Sequence, residues 1–318
     1  MRIGIVIALH GREGDAPTWR HVRDQVLVAE AVGFDLAVIE DALLGPADRR
    51  PTGYWESVSM AGALAAATSR IEIGHSVVNA PYRSAGLTAK AAETLDEISG
   101  GRFFLGIGLG NTLDYEHFGI PADRRYTRFA ETIQIIHRLL RTGRADFDGT
   151  YQSVKDARMA PRGPRPGGPP IVIAAQGPKM LRLAARYADG WNWWGSGTPD
   201  LDRLAPIVAE LDRACDEVGR DPSTLQRSLD VYSLDPIGRF AGSEDPIGGT
   251  PAEIAETLLR FGDLGFEEIR VNVFPVDSLD ALPRAIEALG EVVELLHAAP
   301  DREPGVTAEP VAQGGRNG

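Results

Sequence analysis

Short apolar runs alternate with stretches of helical periodicity along most of the chain. The runs at residues 3–9, 36–40, 71–76, 103–108, 171–175, 190–193, 229–234 and 268–274 are short and apolar, as strands buried on both faces require. Between them, residues 19–32, 54–68, 88–99, 125–141, 179–188 and 250–264 space their apolar positions as helices do. Thr250-Pro251-Ala252-Glu253 supplies an N-cap, a proline at the first helical position and a nearby carboxylate. Some eight strand–helix units predict an α/β fold, a (β/α)8 TIM barrel. A doubly wound open sheet alternates in the same way.

Two segments break the rhythm. Residues 146–169 contain an acidic-aromatic turn and a Pro/Gly/Arg-rich stretch without periodicity, which reads as an excursion before the fifth strand. Residues 299–318 are polar, contain Gly and Pro and lack an apolar face, the pattern of a disordered tail. Residues 1–298 are expected to form a single domain.

Composition narrows the function classes. The chain has 318 residues, 43% of them hydrophobic, enough for a large core. No apolar run approaches the roughly 20 residues that span a bilayer. Met1-Arg2-Ile3 leads straight into a strand, so a cytoplasmic location without membrane contact is expected. The single cysteine, Cys215, sits in helical register with Ile207, Leu211 and Val218, a packing position that excludes disulfides and cysteine-ligated zinc. A net charge of −12 with no basic face argues against nucleic acid as a partner and leaves a small molecule.

In a barrel, chemistry belongs where the strands end. Those positions are His10, Asp41, Ser76 to Asn79, Gly108 to Asp114, Gln176 to Met180 and Trp193 to Gly195. The fifth is the most informative. Ile171-Val172-Ile173 forms a buried strand, Gln176-Gly177-Pro178 turns the chain, and the helix that follows aims its first N–H groups back over the strand end. Such a start holds a phosphate well, and Lys179, one of three lysines, adds a cation. An ordinary helix start is the other reading. Gly106-Ile107-Gly108-Leu109-Gly110 is not the spaced dinucleotide fingerprint; close backbone approach accounts for it.

Glu93-Thr94-Leu95-Asp96-Glu97-Ile98-Ser99-Gly100-Gly101-Arg102, leading into Phe104-Leu105-Gly106-Ile107-Gly108, together with the segment from Ile173 through Gly177-Pro178-Lys179-Met180-Leu181 to Trp191, resembles the bacterial luciferase-like monooxygenase superfamily over residues 1–298. The Gly177-Pro178-Lys179-Met180-Leu181 turn is similar to the branch that uses the deazaflavin coenzyme F420 rather than FMN. The resemblance implies a cis non-proline peptide at Ser76-Val77, pressed against the deazaflavin ring. It also implies a cofactor site that includes Asp41, Ser76, Val77, Asn79, Asn111, Asp114, Gln176, Gly177, Pro178, Lys179, Met180 and Leu181.

Two departures from the family pattern bear on the chemistry. Where several F420-dependent relatives have an Asp-His pair, Asp41 is followed by Ala42. Where sugar-phosphate dehydrogenase relatives carry a glutamate after the fourth strand, Asn111 stands and cannot exchange a proton at neutral pH. His10 is the candidate replacement acid, with His75 a second. Tyr115, Trp193 and Trp194 are candidate substrate contacts; Trp191 and Trp193 share a strand face and Trp194 is offset.

The resemblance therefore implies an oxidoreductase moving a hydride between F420 and a small organic substrate. The alternatives are an FMN-dependent monooxygenase fed by a partner flavin reductase, and a flavin-binding relative without catalysis. A homo-oligomer is expected.

Overall fold

The apolar runs become eight parallel strands whose ladder closes on itself in the computed structural model, which describes residues 1–11, 16–44, 53–195, 200–231, 234–235, 247–273 and 278–300. The barrel strands, first to eighth, are Arg2–Val6, Leu36–Ile39, Glu72–His75 (resuming as Val78–Asn79), Phe103–Gly108, Ile171–Ala174, Gly190–Trp193, Gln226–Val231 and Glu268–Val271. Each pairs with its neighbour, and Arg2 opposite Glu268 joins the first strand to the eighth. The barrel, not the open sheet, is the fold.

Helices follow the strands: α1 (Trp19–Val32), α2 (Ser57–Ala67), α3 (Ala85–Ser99), α4 (Arg125–Thr142), α5 (Pro178–Tyr187), α6 (Leu201–Val218), α7 (Pro251–Leu259), α8 (Leu282–Glu287) and α9 (Gly290–Ala298). Local chemistry sets their ends. Glu56 caps α2 by accepting from the amides of Val58 and Ser59, so α2 starts three residues later than the apolar spacing predicts. Thr250 and Glu253 form the expected capping box, and the helix there tightens into a 3-10 turn at Arg260–Leu264. Residues 232, 233 and 274 of the expected strands, and 301–318 of the expected tail, lie outside the described residues.

Strand alternation divides the core in two. Ile3, Ile5, Ile73, Ile107, Ile173 and Val271 face the helices. Val6, Leu36, Val38, Phe104 and Val172 fill the lower lumen, below a layer of polar side chains that forms the floor of the site.

The 146–169 excursion is more ordered than its sequence suggests. Arg144–Asp148 and Ser153–Arg158 form an antiparallel hairpin, whose turn is held by Glu131: its carboxylate accepts from the amides of Thr150, Tyr151 and Gln152 at 3.0, 2.8 and 2.8 Å. Both hairpin faces are largely exposed, so no apolar alternation marked it. The Arg-rich stretch that follows is strapped onto α3. Arg162 pairs with buried Glu93 at 2.8 Å and Arg165 with buried Asp96. Arg102 donates to the carbonyls of Ala65, Thr68 and Ile71 at the end of α2. The Glu93 to Arg102 motif is thus barrel framework, distant from the chemistry.

Candidate active site

The third strand is interrupted where the site begins. After His75 the chain leaves the ladder through a cis Ser76–Val77 peptide, as the family resemblance implied, and rejoins it at Val78–Asn79, opposite Ile107 and Gly108. The bulge lies against the fourth strand so closely that a Cβ on Gly106 would sit 1.7 Å from the His75 carbonyl oxygen. Only glycine fits there.

This bulge is one wall of a cavity of about 400 Å³ at the C-terminal mouth of the barrel, a size typical of small-molecule sites. Ser76 and Val77, Gly108 to Asn111, and Ala174 make a wall with little side-chain bulk. Glu40, Tyr54, Asn192 and Asp230 lie around it, and Arg125, Gln176, Met180 and Trp194 edge it. Seven sequence-predicted residues therefore meet here: Asp41, Ser76, Val77, Asn111, Gln176, Met180 and Trp194.

Below the cavity runs a continuous polar column. Asp230, 3% exposed, accepts from the Ser76 hydroxyl at 2.9 Å and the Asn192 amide at 2.9 Å. Buried Arg270 reaches the same Ser76 hydroxyl at 3.3 Å, donates to Glu268 at 2.8 Å and lies over the Phe104 ring. Burial pushes the Asp230 carboxyl up, against the pull of Arg270 and its hydrogen bonds. At the rim of the column stands Glu40, whose carboxyl is pushed up to about 7 by burial, with Asp230 adding to the effect.

Asp41 has the opposite environment. Its side chain is fully buried and takes 2.7 and 3.1 Å bonds from Arg83, 2.6 Å from the Ser57 hydroxyl and 2.9 Å from the Asn79 amide. It ties the third strand to the start of α2, and its carboxylate is occupied by protein donors. Neighbouring His75 points to that outer side, away from Ser76, and burial lowers its imidazole to about 4.

Other expected contacts stand one layer back. Asn79 is buried, donating to the Asn111 carbonyl at 3.2 Å, with the Tyr115 hydroxyl 2.8 Å from its Oδ1. Tyr115 is 1% exposed, so it props the loop after the fourth strand from beneath and is not placed to touch substrate. Asp114 accepts from the Leu43 amide and the Tyr82 hydroxyl, holding two loops together. His10 packs on Tyr54, ring centroids 4.6 Å apart; Tyr54 lines the cavity and His10 does not. Burial also lowers the His10 imidazole. The Trp193 ring lies on Gly195, outside the lining, and Trp191 is buried core, donating to the Ala175 carbonyl at 3.0 Å.

At the helix start, Gly177 has a φ of 75° and Pro178 opens α5 without a side-chain cap. The Gly177 carbonyl accepts from Met180 and Leu181. Gln176 and Met180 reach the cavity; Gly177, Pro178 and Lys179 are outside its lining, Leu181 is buried in the core and not placed to touch a cofactor, and the Lys179 ammonium lies over Tyr126. Arg125 instead brings a cation into the lining, held by the carbonyls of Leu109 and Gly110.

Glu40, Asp230 and Arg125 were not singled out from sequence. One signal was present for Asp230: in the seventh strand, alternation puts it with Ser228 opposite Leu229 and Val231, a carboxylate facing the lumen.

A family model of luciferase-like monooxygenases matches residues 1–233. The 5,10-methylenetetrahydromethanopterin reductase of Archaeoglobus fulgidus is 42% identical over 165 residues, 52% of this chain and 46% of the relative. Pyrimidine monooxygenase RutA of Escherichia coli K12 is 33% identical over 216 residues, 64% of this chain and 55% of the relative. The chain thus spans about half the length of these relatives. Among solved structures, an F420-dependent secondary alcohol dehydrogenase holding an F420-acetone adduct superposes with a TM-score of 0.76 at 17% identity, covering 93% of this chain and 98% of that one. Monooxygenase RslO1 from Streptomyces bottropensis gives 0.76 at 20% identity, covering 94% and 100%. With the match extending over most of the chain, this protein belongs to the luciferase-like monooxygenase family.

Proposed function

We propose that the protein is an oxidoreductase that binds a flavin-type cofactor, coenzyme F420 by preference, in the barrel-mouth cavity and moves a hydride to or from a small organic substrate. The observation that carries this reading is the low wall formed by Ser76, Val77, Gly108 and Ala174 inside a cavity of about 400 Å³. A planar ring could lie against such a wall, since no side chain larger than valine rises from these positions to exclude it.

When bound, such a cofactor supplies the hydride chemistry that no side chain offers. The chain's own residues bind and orient. The Ser76–Val77 wall would back the ring, the start of α5 at Gly177 to Lys179 would receive an anionic tail, and Arg125 would add a cation at the rim. Met180 and Trp194 give the substrate an apolar surface. The similarity to the methylenetetrahydromethanopterin reductase supports a hydride-transferring member of the family.

The test is fluorescence titration of the purified protein with F420 and, in parallel, FMN. Micromolar binding of F420 with none of FMN is expected. The reverse result overturns the F420 preference and favours the second reading, an FMN-dependent monooxygenase supplied by a reductase, which the similarity to RutA supports; oxygen uptake with reduced FMN is its signature.

A further inference from the structure

The polar column contains more negative charge than it can hold fully ionised. Among the described residues Asp230 and Glu268 flank one lumen cation, Arg270, and Glu40 stands over them. Arg2 at the barrel base is 3.6 Å from Glu268 but is also bound to Glu72 at 2.8 Å. Among the other charged groups of the described lining, Asp41 is paired with Arg83 behind the wall, and Arg125 keeps its charge on the loop carbonyls of Leu109 and Gly110 but is not among the charges that act on Glu40. The remaining titratable group of the described lining is the Tyr54 phenol. Ionising Glu40 would add a second unbalanced negative charge to a poorly solvated site, which low polarity strongly disfavours.

Hydrogen bonding decides where the retained proton sits. Asp230 takes donors from Ser76 and Asn192 and feels Arg270, all of which favour its anion. Among the described residues no donor stabilises a Glu40 carboxylate; burial and the facing Asp230 act on it. Its carboxyl lines the cavity, within reach of whatever fills it.

We propose that Glu40 is the acid–base residue of this site, carrying the proton that accompanies hydride transfer, with Asp230 positioned beneath it to keep that proton in place. The proposal rests on the hydride-transfer reading above. In the reducing direction an unsaturated carbon of the substrate would receive a hydride, with its two electrons, from a reduced flavin-type cofactor held at the Ser76–Val77 wall. The Glu40 O–H bond breaks, its proton goes to the adjoining heteroatom or carbon, and Glu40 is left as a carboxylate that solvent reprotonates. The oxidising direction runs the same transfers backwards, Glu40 taking a hydroxyl or amine proton. Substrates that need a proton partner, such as a carbonyl, imine or activated alkene, fit a site with one such acid. This assignment replaces His10, which stands behind Tyr54.

The experiment is an infrared pH titration of carboxyl C=O bands in wild type, Glu40→Gln and Asp230→Asn, needing no cofactor, followed by cofactor titration and turnover of the same proteins. A protonated carboxyl with its midpoint near neutrality is expected in wild type, absent in Glu40→Gln and shifted to lower pH in Asp230→Asn. Glu40→Gln should bind cofactor as wild type does, turn over about a hundredfold more slowly and lose the basic limb of the reductive pH profile, with Glu40→Asp restoring part of both. A carboxyl that titrates like an exposed glutamate, or a Glu40→Gln enzyme with wild-type turnover and pH profile, overturns the proposal. Failure of wild type to bind either cofactor overturns the hydride-transfer reading instead, and the infrared titration then still decides whether Glu40 holds a proton.

Discussion

Glu40 and Asp41 are adjacent carboxylates with opposite electrostatic fates, and the difference lies in what each side chain meets. Asp41 turns outward to Arg83, Ser57 and the Asn79 amide; Glu40 turns into the lumen and meets another carboxylate. A carboxyl whose folded-state pKa is raised, here to about 7 against an unfolded value near 4.3, destabilises the fold once it must ionise. Its neutral form costs nothing below the unfolded value, and the penalty grows as pH rises toward and through the folded one. Glu40→Gln should therefore melt at a higher temperature than wild type at about pH 8, the two curves converging at about pH 4. Equal melting differences at both pH values would contradict the raised pKa. The outward member of the pair was legible because it follows the second strand, where a barrel places its chemistry, and because the family resemblance points to it. The inward member needs Asp230 as well, and that residue is 190 positions away along the chain.

At the level of elements, the strands and helices were legible because each carries its own period, whereas the interruption of the third strand was not written in local pattern. Nothing in His75-Ser76-Val77-Val78-Asn79 departs from an ordinary strand end; resemblance alone supplied the cis bond. Its physical support is on the neighbouring strand, at Gly106. The contact a Cβ would make there is with a backbone carbonyl, which no rotamer change relieves. Gly106→Ala should destabilise the protein by about 2 kcal/mol or more and abolish cofactor binding by displacing the wall, read by urea denaturation and the fluorescence titration. Retained binding in a folded Gly106→Ala protein would show that the bulge is dispensable. The hairpin at Arg144–Asp148 and Ser153–Arg158 was missed for the converse reason. Its stability comes from Glu131 holding the turn and from pairing of two polar strands, neither of which leaves a hydrophobic period.

At the scale of the whole molecule, alternation fixed the number of strands, but barrel closure depends on Arg2 meeting Glu268, a pairing between the two ends of the fold. Closure creates a lumen, and a lumen forces lumen-facing polar residues to satisfy one another. Arg270 is the hub: it is 1% exposed and contacts Glu268 of its own strand, Ser76 of the third-strand bulge and the Phe104 ring of the fourth strand. Replacing it by methionine keeps the volume and the packing on Phe104 but leaves Asp230 and Glu268 buried without their shared cation. Removing one partner of a buried pair costs about 3–5 kcal/mol, and Arg270→Met should approach that loss at neutral pH. Both carboxyls can escape by taking up a proton, so the loss should shrink at about pH 5, where the native state binds more protons than the unfolded chain. Urea denaturation at the two pH values measures the difference. A pH-independent loss would mean that Arg270 acts by packing alone, and the charge balance that keeps the proton on Glu40 would then need another cation.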